Sequence, residues 1–577
     1  MLSILCFNMC GIAGIINFSR KKIFKEEIEK TLKSIKHRGP DDLGTWLNLN
    51  RNIALLHSRL SIQDLSKNAS QPMSLNDGRY TIIFNGEIYN FKKLKSEYLS
   101  NENFKSNSDT EVVLKLFIKF GNKFLSMLNG MYAFSIYDKK TNRFFFARDE
   151  FGIKPLYYNF TNERFIFSSE IKTFFKLNVS KQFNLRSISS YLSSEYYENK
   201  NQTYFKNIMK LEPGHYLEII NNKIKISKYF NFKDYTEKVY VPKKYIERKE
   251  YLSLLISKSV SEGMISDVPL SIASSGGLDS SILQYEACKI NNKTSLISWD
   301  FNEDKFSEKK YVNKISKITK AKPTFYKITP KNIIKNLKDI ISINEEPFAG
   351  IPIISYYLTL KNINKNKVIL DGSGIDECHG GYFKYYLKNK NYNNISQDGT
   401  LGIKKIINQD FFKKYPNYDD EILTNNSFKN KMFNDIFFMK LPRALRFRDK
   451  ISMSLGFELR PVFLNKNLVS FFYKLKKEDH YKNDYSKFLL RDTYKNKISK
   501  NIAFKKKRNI QTPQSSWFKK DMNKWLELLI QNSLIWDTNL IDRKKFLIIY
   551  NLFKKGKIDN SFFIWQFINL HYFMNND

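Results

Sequence analysis

Residues 274–281, Ser-Ser-Gly-Gly-Leu-Asp-Ser-Ser, combine hydroxyl groups, two glycines and one carboxylate in eight positions. They follow an apolar segment and precede a helical pattern, which predicts a strand, a glycine turn and a helix start. Backbone N–H groups at such a turn lack helical partners and favour a phosphate. The turn has no Walker-type lysine, and Asp279 would repel a phosphate unless a cation lay between them, so Mg²⁺-pyrophosphate is the predicted ligand. Taken alone, these residues fit a purely structural turn equally well.

A second set of polar clusters lies early in the chain, each at the end of an apolar segment. Its members are Met-Cys-Gly-Ile-Ala-Gly-Ile-Ile at 9–16, His-Arg-Gly-Pro-Asp at 37–41, Arg-Leu-Ser-Ile at 59–62, Phe-Asn-Gly-Glu-Ile-Tyr-Asn at 84–90 and Ser-Asp-Thr-Glu at 108–111. Alone, Cys10 reads as a small buried apolar residue. In this order, however, the set resembles the class II glutamine amidotransferase domain, an α+β N-terminal-nucleophile fold with two antiparallel sheets between helices.

The resemblance implies cleavage of the glutamine amide by a thiol. Such a reaction needs a nucleophile, a base and donors placed for a tetrahedral oxyanion. By resemblance, Cys10 is the nucleophile and its own α-amine is the base. The side-chain amide of Asn85 and the backbone N–H of Gly86 form the oxyanion hole.

The same resemblance implies a set of glutamine-binding residues. Arg59 matches the family's partner for the α-carboxylate, as its forked guanidinium would suit. Asp109 matches the partner for the α-ammonium group, with Glu87 nearby. Together with Asn85 and Gly86, these residues are the expected glutamine site.

The start of the chain departs from the family pattern. In the family the cysteine is the first residue of the mature chain, whereas nine residues precede Cys10 here. With Cys10 inside a peptide bond there is no α-amine, and the mechanism fails. We therefore expect residues 1–9 to be an extension that is removed, or a misassigned start with translation beginning at Met9. Arg38 is expected to hold the loops over Cys10.

The rest of the chain predicts a second domain. A chain of 577 residues suggests about two to four units. We assign 10–230 to the amidotransferase domain, the polar and charged stretch 231–249 to a linker, and 250–577 to a second domain. Strand and helix patterns alternate after residue 250, which predicts a parallel sheet with helices on both faces. Ligands bind at the carboxyl ends of such strands.

Several motifs of this second part resemble known enzymes. Residues 274–281 resemble the pyrophosphate loop of ATP pyrophosphatases, which have an adenine nucleotide alpha hydrolase-like fold. The motifs at 344–348, 370–382, 448–464 and 505–517 resemble the asparagine synthetase and β-lactam synthetase group. With the first domain included, the resemblance covers nearly the whole chain and identifies it as a member of the asparagine synthetase family.

This resemblance implies an ATP site with two cofactors, ATP and Mg²⁺. Ser274 and Trp299 would contact adenosine, Asp279 and Asp376 would share the Mg²⁺-pyrophosphate, and Lys507 would neutralise the charge that grows as pyrophosphate leaves. Lys507 also fits a solvated residue of a basic run. The full expected ATP-binding set is Ser274, Ser275, Gly276, Gly277, Asp279, Ser280, Trp299, Asp371 and Gly372.

One residue of the motif at 371–377 departs from the family pattern, and it bears on the acceptor. Asparagine synthetases usually read Ser-Gly-Glu-Gly-Ala-Asp-Glu where residues 371–377 read Asp-Gly-Ser-Gly-Ile-Asp-Glu. Ser373 therefore replaces a carboxylate, and a hydroxyl cannot take a proton from ammonia as a carboxylate can. Either Asp371 or Glu346 substitutes, or the acceptor is a different carboxylate, such as a sugar uronate of surface polysaccharides. We expect an amide ligase that uses glutamine and ATP, releases AMP and pyrophosphate, and has aspartate as its default acceptor.

Composition limits the other classes. The formal charge of +39 is the only support for a nucleic-acid-binding or RNA-modifying pyrophosphatase. Lys, Asn, Ile, Phe and Tyr are abundant throughout, as AT-rich codons would produce, so we expect no nucleic acid partner. The four cysteines form no CxxC pair, and no apolar run approaches the length of a membrane span. We expect a cytoplasmic enzyme without membrane insertion, with a homodimer as a candidate assembly.

Overall fold

The computed structural model describes residues 10–39, 41–194, 198–363, 366–386, 404–418, 421–506 and 512–575. The helices and strands before residue 231 are β1 (Gly11–Asn17), α1 (Lys25–Ile35), β2 (Asp42–Leu47), β3 (Ile53–Arg59), β4 (Met73–Leu75), β5 (Tyr80–Ile88), α2 (Phe91–Tyr98), α3 (Asp109–Phe120), β6 (Gly130–Asp138), β7 (Arg143–Arg148), β8 (Tyr157–Phe160), β9 (Arg164–Ser168), α4 (Lys172–Lys176), α5 (Leu185–Ser194), β10 (Met209–Lys210), β11 (His215–Ile220) and β12 (Lys223–Lys228).

These strands form two antiparallel six-stranded sheets, in the orders β10-β8-β9-β1-β3-β2 and β12-β11-β7-β6-β5-β4. Alternate residues of β1 face opposite sides, as a strand requires. Ile12 and Ile16 pack in the core between the sheets, whereas Ala13 and Ile15 pack in the core that includes the buried side of α1. The predicted fold of two antiparallel sheets between helices is confirmed.

The later elements are α6 (Phe232–Lys238), α7 (Tyr245–Gly263), β13 (Leu270–Ala273), α8 (Leu278–Ile290), β14 (Ser295–Asp300), α9 (Lys309–Thr319), β15 (Pro323–Lys327), α10 (Pro330–Asn344), α11 (Gly350–Leu360), β16 (Val368–Asp371), α12 (Ile375–Cys378), α13 (Gln409–Lys414), α14 (Ser427–Phe437), α15 (Lys440–Ser454), β17 (Glu458–Pro461), α16 (Lys466–Lys474), α17 (Lys477–His480), β18 (Tyr481–Lys482), β19 (Tyr485–Ser486), α18 (Phe488–Tyr494), α19 (Lys500–Ala503), α20 (Gln514–Lys519), α21 (Asn523–Gln531), α22 (Arg543–Lys554) and α23 (Phe562–Met574). The stretch 231–249, expected as a linker, contains α6 and the start of α7.

Five of these strands form the predicted parallel sheet, in the order β15-β14-β13-β16-β17. The chain enters at the central strand β13, adds β14 and β15 on one side and then adds β16 and β17 on the other. This reversal creates a topological switch point beside β13, where ligands bind in open α/β sheets. The loop at 274–281 follows β13 directly.

The two parts of the chain share an apolar core. Tyr204 and Phe205 of the first part pack against Phe573 of α23, with ring centroids 5.7 Å and 5.6 Å apart. Burial of such aromatic surface holds the parts together through the hydrophobic effect. Within the described ranges, no helix combines the length and hydropathy that a membrane crossing would require.

Candidate functional site

Cys10 lies directly before β1 and is partly buried. Its Sγ is 3.8 Å from the carbonyl oxygen of Leu60. Burial raises the pKa of the thiol to about 12, so the thiol is neutral at pH 7. Because the thiolate is the nucleophilic form, Cys10 needs a base to lose its proton.

Arg38 binds the backbone of Cys10. Its Nε donates a hydrogen bond to the Cys10 carbonyl oxygen at 3.3 Å. Its other two nitrogens donate to Glu170 at 2.5 Å and to Asp449 at 2.9 Å. The side chain has no solvent exposure, so these three bonds fix its position. Arg38 thus holds the segment that carries the thiol, as expected from the sequence.

Asn85 and Gly86, the predicted oxyanion-hole residues, lie in strand β5. The hydroxyl of Ser169 accepts from the Ile12 N–H at 3.2 Å and lies 3.5 Å from the Asn85 amide nitrogen, which connects Asn85 to the start of β1. A Cβ at Gly86 would lie 2.1 Å from the carbonyl oxygen of Met131, so only glycine fits there. Asn85 is thus connected through Ser169 to Ile12, two residues after Cys10 in the chain.

The predicted glutamine-binding carboxylates are both buried. Asp109 accepts a hydrogen bond from the Ile88 N–H at 2.8 Å, and burial raises its pKa to about 6. Glu87 accepts from Gln63 at 2.5 Å and forms an ion pair with Arg460 at 3.4 Å. Burial, followed by repulsion from a nearby glutamate, raises the pKa of Glu87 well above its usual range. Arg460 belongs to β17, so the second part of the chain contributes a positive charge beside Glu87.

The guanidinium of Arg59 forms hydrogen bonds within the protein. Its Nη2 donates to the carbonyl oxygen of Asp64 at 2.5 Å and its Nη1 to that of Ser66 at 2.9 Å. These bonds order the loop after β3 and leave the guanidinium buried near Cys10, whose electrostatic environment includes it. The position suits recognition of an anionic group by a pre-organised arginine.

The loop at 274–281 has the predicted strand, turn and helix. β13 ends at Ala273 and α8 begins at Leu278, so Asp279 lies in the first helical turn. Gly276 has a φ of +62°, and a Cβ there would lie 2.5 Å from Tyr311. A side chain would therefore be strained and would clash, which explains the glycine. The hydroxyls of Ser275 and Ser280 are 3.0 Å apart across the turn.

A cavity of about 350 Å³ opens at the carboxyl ends of the parallel strands. It is lined by most of the residues that the sequence predicted for ATP and Mg²⁺, namely Ser274, Ser275, Gly277, Asp279, Ser280, Trp299, Asp371, Gly372 and Asp376. Gly276 shapes the turn behind this lining. Lys505 and Lys506 also line the cavity, whereas Lys507 lies outside the described residues.

Lys487 is a functional candidate that the sequence analysis missed. Its Nζ lies 2.8 Å from each carboxylate oxygen of Asp279 and 2.7 Å from Oδ1 of Asp376. Burial works against its charge, but the two carboxylates outweigh burial and raise the pKa of Lys487. No local signal distinguishes it among 96 Lys and Arg residues, because its partners are distant in sequence.

The same carboxylates fit a bound cation. Oxygens of Asp279 and Asp376 converge on one point, which Lys487 Nζ holds at 2.7–2.8 Å. In the described part of the chain, no three His, Cys, Asp or Glu side chains are arranged to hold a metal by themselves. Two carboxylates completed by substrate phosphate oxygens are the usual Mg²⁺ arrangement in nucleotide enzymes.

The motif that contains Ser373 is tied to Asp371. Oδ1 of Asp371 accepts from the Ser373 N–H at 2.8 Å, from the Ser373 hydroxyl and from Arg448 at 2.6 Å. Glu377 also lines the cavity, where the Tyr382 hydroxyl donates to it at 2.6 Å, and burial raises its pKa. Asp371 is thus an ion-paired carboxylate at the edge of the cavity.

Glu346, the other carboxylate considered as a substitute, lies outside the lining of the ATP cavity. It accepts from the Tyr204 N–H at 2.9 Å, pairs with Arg446 at 3.5 Å and does not line the cavity. Its contacts connect the two parts of the chain. Of the two carboxylates considered as substitutes for the missing family glutamate, only Asp371 is therefore in place.

Comparisons with known proteins match both parts of the chain. A family model described as a glutamine amidotransferase domain matches residues 9–230, and one described as asparagine synthase matches residues 252–575. A putative glutamine-hydrolysing asparagine synthetase 2 of Methanocaldococcus jannaschii is 34% identical over 65% of this chain and 76% of its own length. Glutamine-hydrolysing asparagine synthetase 1 of Bacillus subtilis is 29% identical over 97% of both chains. Amidase chry2 of Gibberella zeae is 28% identical over 65% of this chain and 59% of its own.

Proposed function

This chain belongs to the asparagine synthase family, and we propose that it forms the amide of a carboxylate acceptor, aspartate in the first instance. Family membership makes it a glutamine-hydrolysing, ATP-dependent amidotransferase. The observation that carries the proposal is the convergence of Asp279, Asp376 and Lys487 on one cavity beside the loop at 274–281. This arrangement suits an enzyme that releases pyrophosphate.

In the proposed glutaminase reaction, the Cys10 sulfur attacks the amide carbon of glutamine. The α-amine of a mature chain beginning at Cys10 takes the thiol proton, which the raised thiol pKa makes necessary. Asn85 and Gly86 stabilise the oxyanion, the leaving nitrogen takes the proton back from the α-amine, and ammonia departs from a glutamyl thioester. Water then hydrolyses the thioester to glutamate and the free thiol. Arg59 binds the α-carboxylate and Asp109 the α-ammonium group of glutamine, with Glu87 nearby.

In the proposed synthetase reaction, the acceptor carboxylate attacks the α-phosphorus of ATP and pyrophosphate departs. Ammonia then attacks the acyl-adenylate carbon and displaces AMP. The loop at 274–281, with Trp299, Asp371 and Gly372, binds the nucleotide. Asp279 and Asp376 would hold Mg²⁺, which supplies positive charge to the phosphate oxygens. Lys487 adds fixed positive charge, and Lys507 is proposed to do the same.

Ser373 supports a second acceptor, such as a sugar uronate. A carboxylate at this position could take a proton from the attacking ammonia, whereas Ser373 offers only a hydroxyl that is bonded to Asp371. Arg448 already neutralises Asp371 at 2.6 Å. The residues at this position thus differ from the family pattern for aspartate, which supports a different carboxylate acceptor.

We expect acceptor-dependent pyrophosphate release to distinguish the two candidates. Purified enzyme with ATP, Mg²⁺ and glutamine is supplied with aspartate, glucuronate, galacturonate or no acceptor, and pyrophosphate and amide are both measured. Stimulation of about tenfold or more by aspartate, with asparagine as product, would support the first proposal. Stimulation by a uronate alone would replace aspartate as the acceptor. Stimulation by neither, with ATP still cleaved, would contradict both acceptors.

The raised pKa of Asp109 predicts pH-dependent binding of glutamine. As pH falls through about 6, Asp109 becomes protonated and loses its attraction for the α-ammonium group. In a Cys10→Ala variant, which binds without hydrolysis, the Kd for glutamine should be about tenfold higher at pH 5 than at pH 8. Titration calorimetry measures this Kd. Adding Asp109→Asn to this variant should weaken glutamine binding at pH 8 and remove the pH dependence of the Kd. If the Kd of the double variant still changes with pH in the same way, the pH dependence belongs to another group.

A further inference from the structure

Three consecutive residues of α15 bind groups that belong to both sites. Arg448 lies 2.6 Å from Asp371 at the ATP cavity. Asp449 lies 2.9 Å from Arg38, next to Cys10, and Lys450 lies 2.9 Å from Glu170. The synthetase part therefore supplies side chains directly to the surroundings of the glutaminase site.

Arg38 transmits the position of Asp449 to Cys10. The guanidinium is planar and rigid, so partners at two of its nitrogens fix the direction of the third. Here Asp449 and Glu170 hold Nη2 and Nη1, and Nε donates to the Cys10 carbonyl oxygen at 3.3 Å. Arg38 is fully buried and Asp449 is 6% exposed, so water cannot easily replace either partner.

We propose that Asp449 is a positioning residue for glutamine hydrolysis, acting through Arg38 on the backbone that carries the Cys10 thiol. The inference rests on the proposed role of Cys10 as nucleophile. Asp449 itself contacts neither the thiol nor the predicted glutamine-binding residues in the bonds described above. Its loss should therefore disturb the alignment of the thiol for attack more than the binding of glutamine, because small displacements of reacting groups slow reactions strongly.

The proposal is tested with Asp449→Asn, which keeps the shape of the side chain and removes its charge. Arg38 still has Glu170 as an ionic partner, so we expect the variant to fold. Glutaminase kcat should fall by about tenfold or more, with the glutamine KM within about twofold of its original value. Ammonium-dependent pyrophosphate release, with the acceptor that supports it, should stay within about twofold, because Cys10 takes no part in it.

Lys466→Gln is the matched control. It removes another ion pair between the two parts, from Lys466 to Glu150 at 2.9 Å, which does not involve Arg38. Both activities should be retained in this variant. Asp449→Glu keeps the charge and should restore part of the lost kcat; if Asp449→Asn does not fold, Asp449→Glu is measured against the same criteria with a smaller expected loss.

Full glutaminase kcat in Asp449→Asn would overturn the proposal. An equal fall of glutaminase and ammonium-dependent activity, together with a lower Tm, would also overturn it, since that pattern indicates general destabilisation. Failure of the proposed function itself has a different signature, because Cys10→Ala would then retain glutaminase activity.

Discussion

Replacing Cys10 with alanine is expected to lower glutamine-dependent amide formation by roughly 10³-fold or more, because the substitution removes the proposed nucleophile. Ammonium-dependent formation in the same variant should stay within about twofold, because the ATP cavity is built from different elements. Both rates are measured as amide product, with glutamine or with ammonium chloride near pH 8.5, where more of the ammonia is unprotonated.

Cys288→Ala provides the matched control for this experiment. Cys288 is a buried free cysteine of α8, so the substitution removes a thiol without touching the proposed nucleophile. It should leave the ratio of the two activities unchanged. Retention of glutamine-dependent synthesis in Cys10→Ala would contradict the assignment of Cys10, and loss of ammonium-dependent synthesis would contradict the independence of the two sites.

The proposed base, the α-amine of Cys10, can be tested by determining the first residue of the active protein. If the α-amine of Cys10 takes the thiol proton, the active chain must begin at Cys10. Mass spectrometry of the N-terminal peptide of the active protein should then show Cys10 as its first residue. Full glutaminase activity with residues 1–9 retained would require a different base.

The second large effect is expected at Lys487. Replacing it with glutamine should slow acceptor-dependent pyrophosphate release by about 10²–10³-fold, the range found when a pre-organised charge that stabilises a transition state is removed. Its Nζ is within 2.8 Å of both Asp279 and Asp376, where developing charge on pyrophosphate would be neutralised. Glutaminase activity of the variant should be retained, and it reports that the protein is folded.

Two further variants distinguish a catalytic role of Lys487 from mere compensation of the carboxylate charges of Asp279 and Asp376. Lys477→Gln removes an exposed lysine of α17, ten positions earlier, and should have no effect on either activity. Lys487→Arg keeps a positive charge but replaces a compact ammonium by a planar fork, so it should restore folding stability more than rate. Normal pyrophosphate release by Lys487→Gln would show that Lys487 only compensates the two carboxylates.

Much of the fold could be predicted from the sequence because its signals are local. The apolar segment, the glycine turn and the helix start around residues 274–281 are consecutive, and each has its own backbone preference. The motifs around Cys10, Arg59 and Asn85 likewise indicated the glutaminase domain, because their residues and their order resemble those of a known family. Alternating strand and helix patterns predicted the parallel sheet in the same way.

Only the tertiary structure could decide which charged residues meet. Lys487 is 208 residues from Asp279 and 111 from Asp376, and Asp449 is 411 residues from Arg38. In the sequence these side chains are ordinary members of a strongly basic chain. Burial in the folded protein removes water from these charged groups, so each depends on its partner. Which residues become partners depends on packing between elements that are far apart in the chain. The sequence by itself therefore indicated glutamine hydrolysis and ATP-dependent amide formation. Only the packing of the tertiary structure placed Asp449 of α15 beside Arg38, and Lys487 beside the two carboxylates.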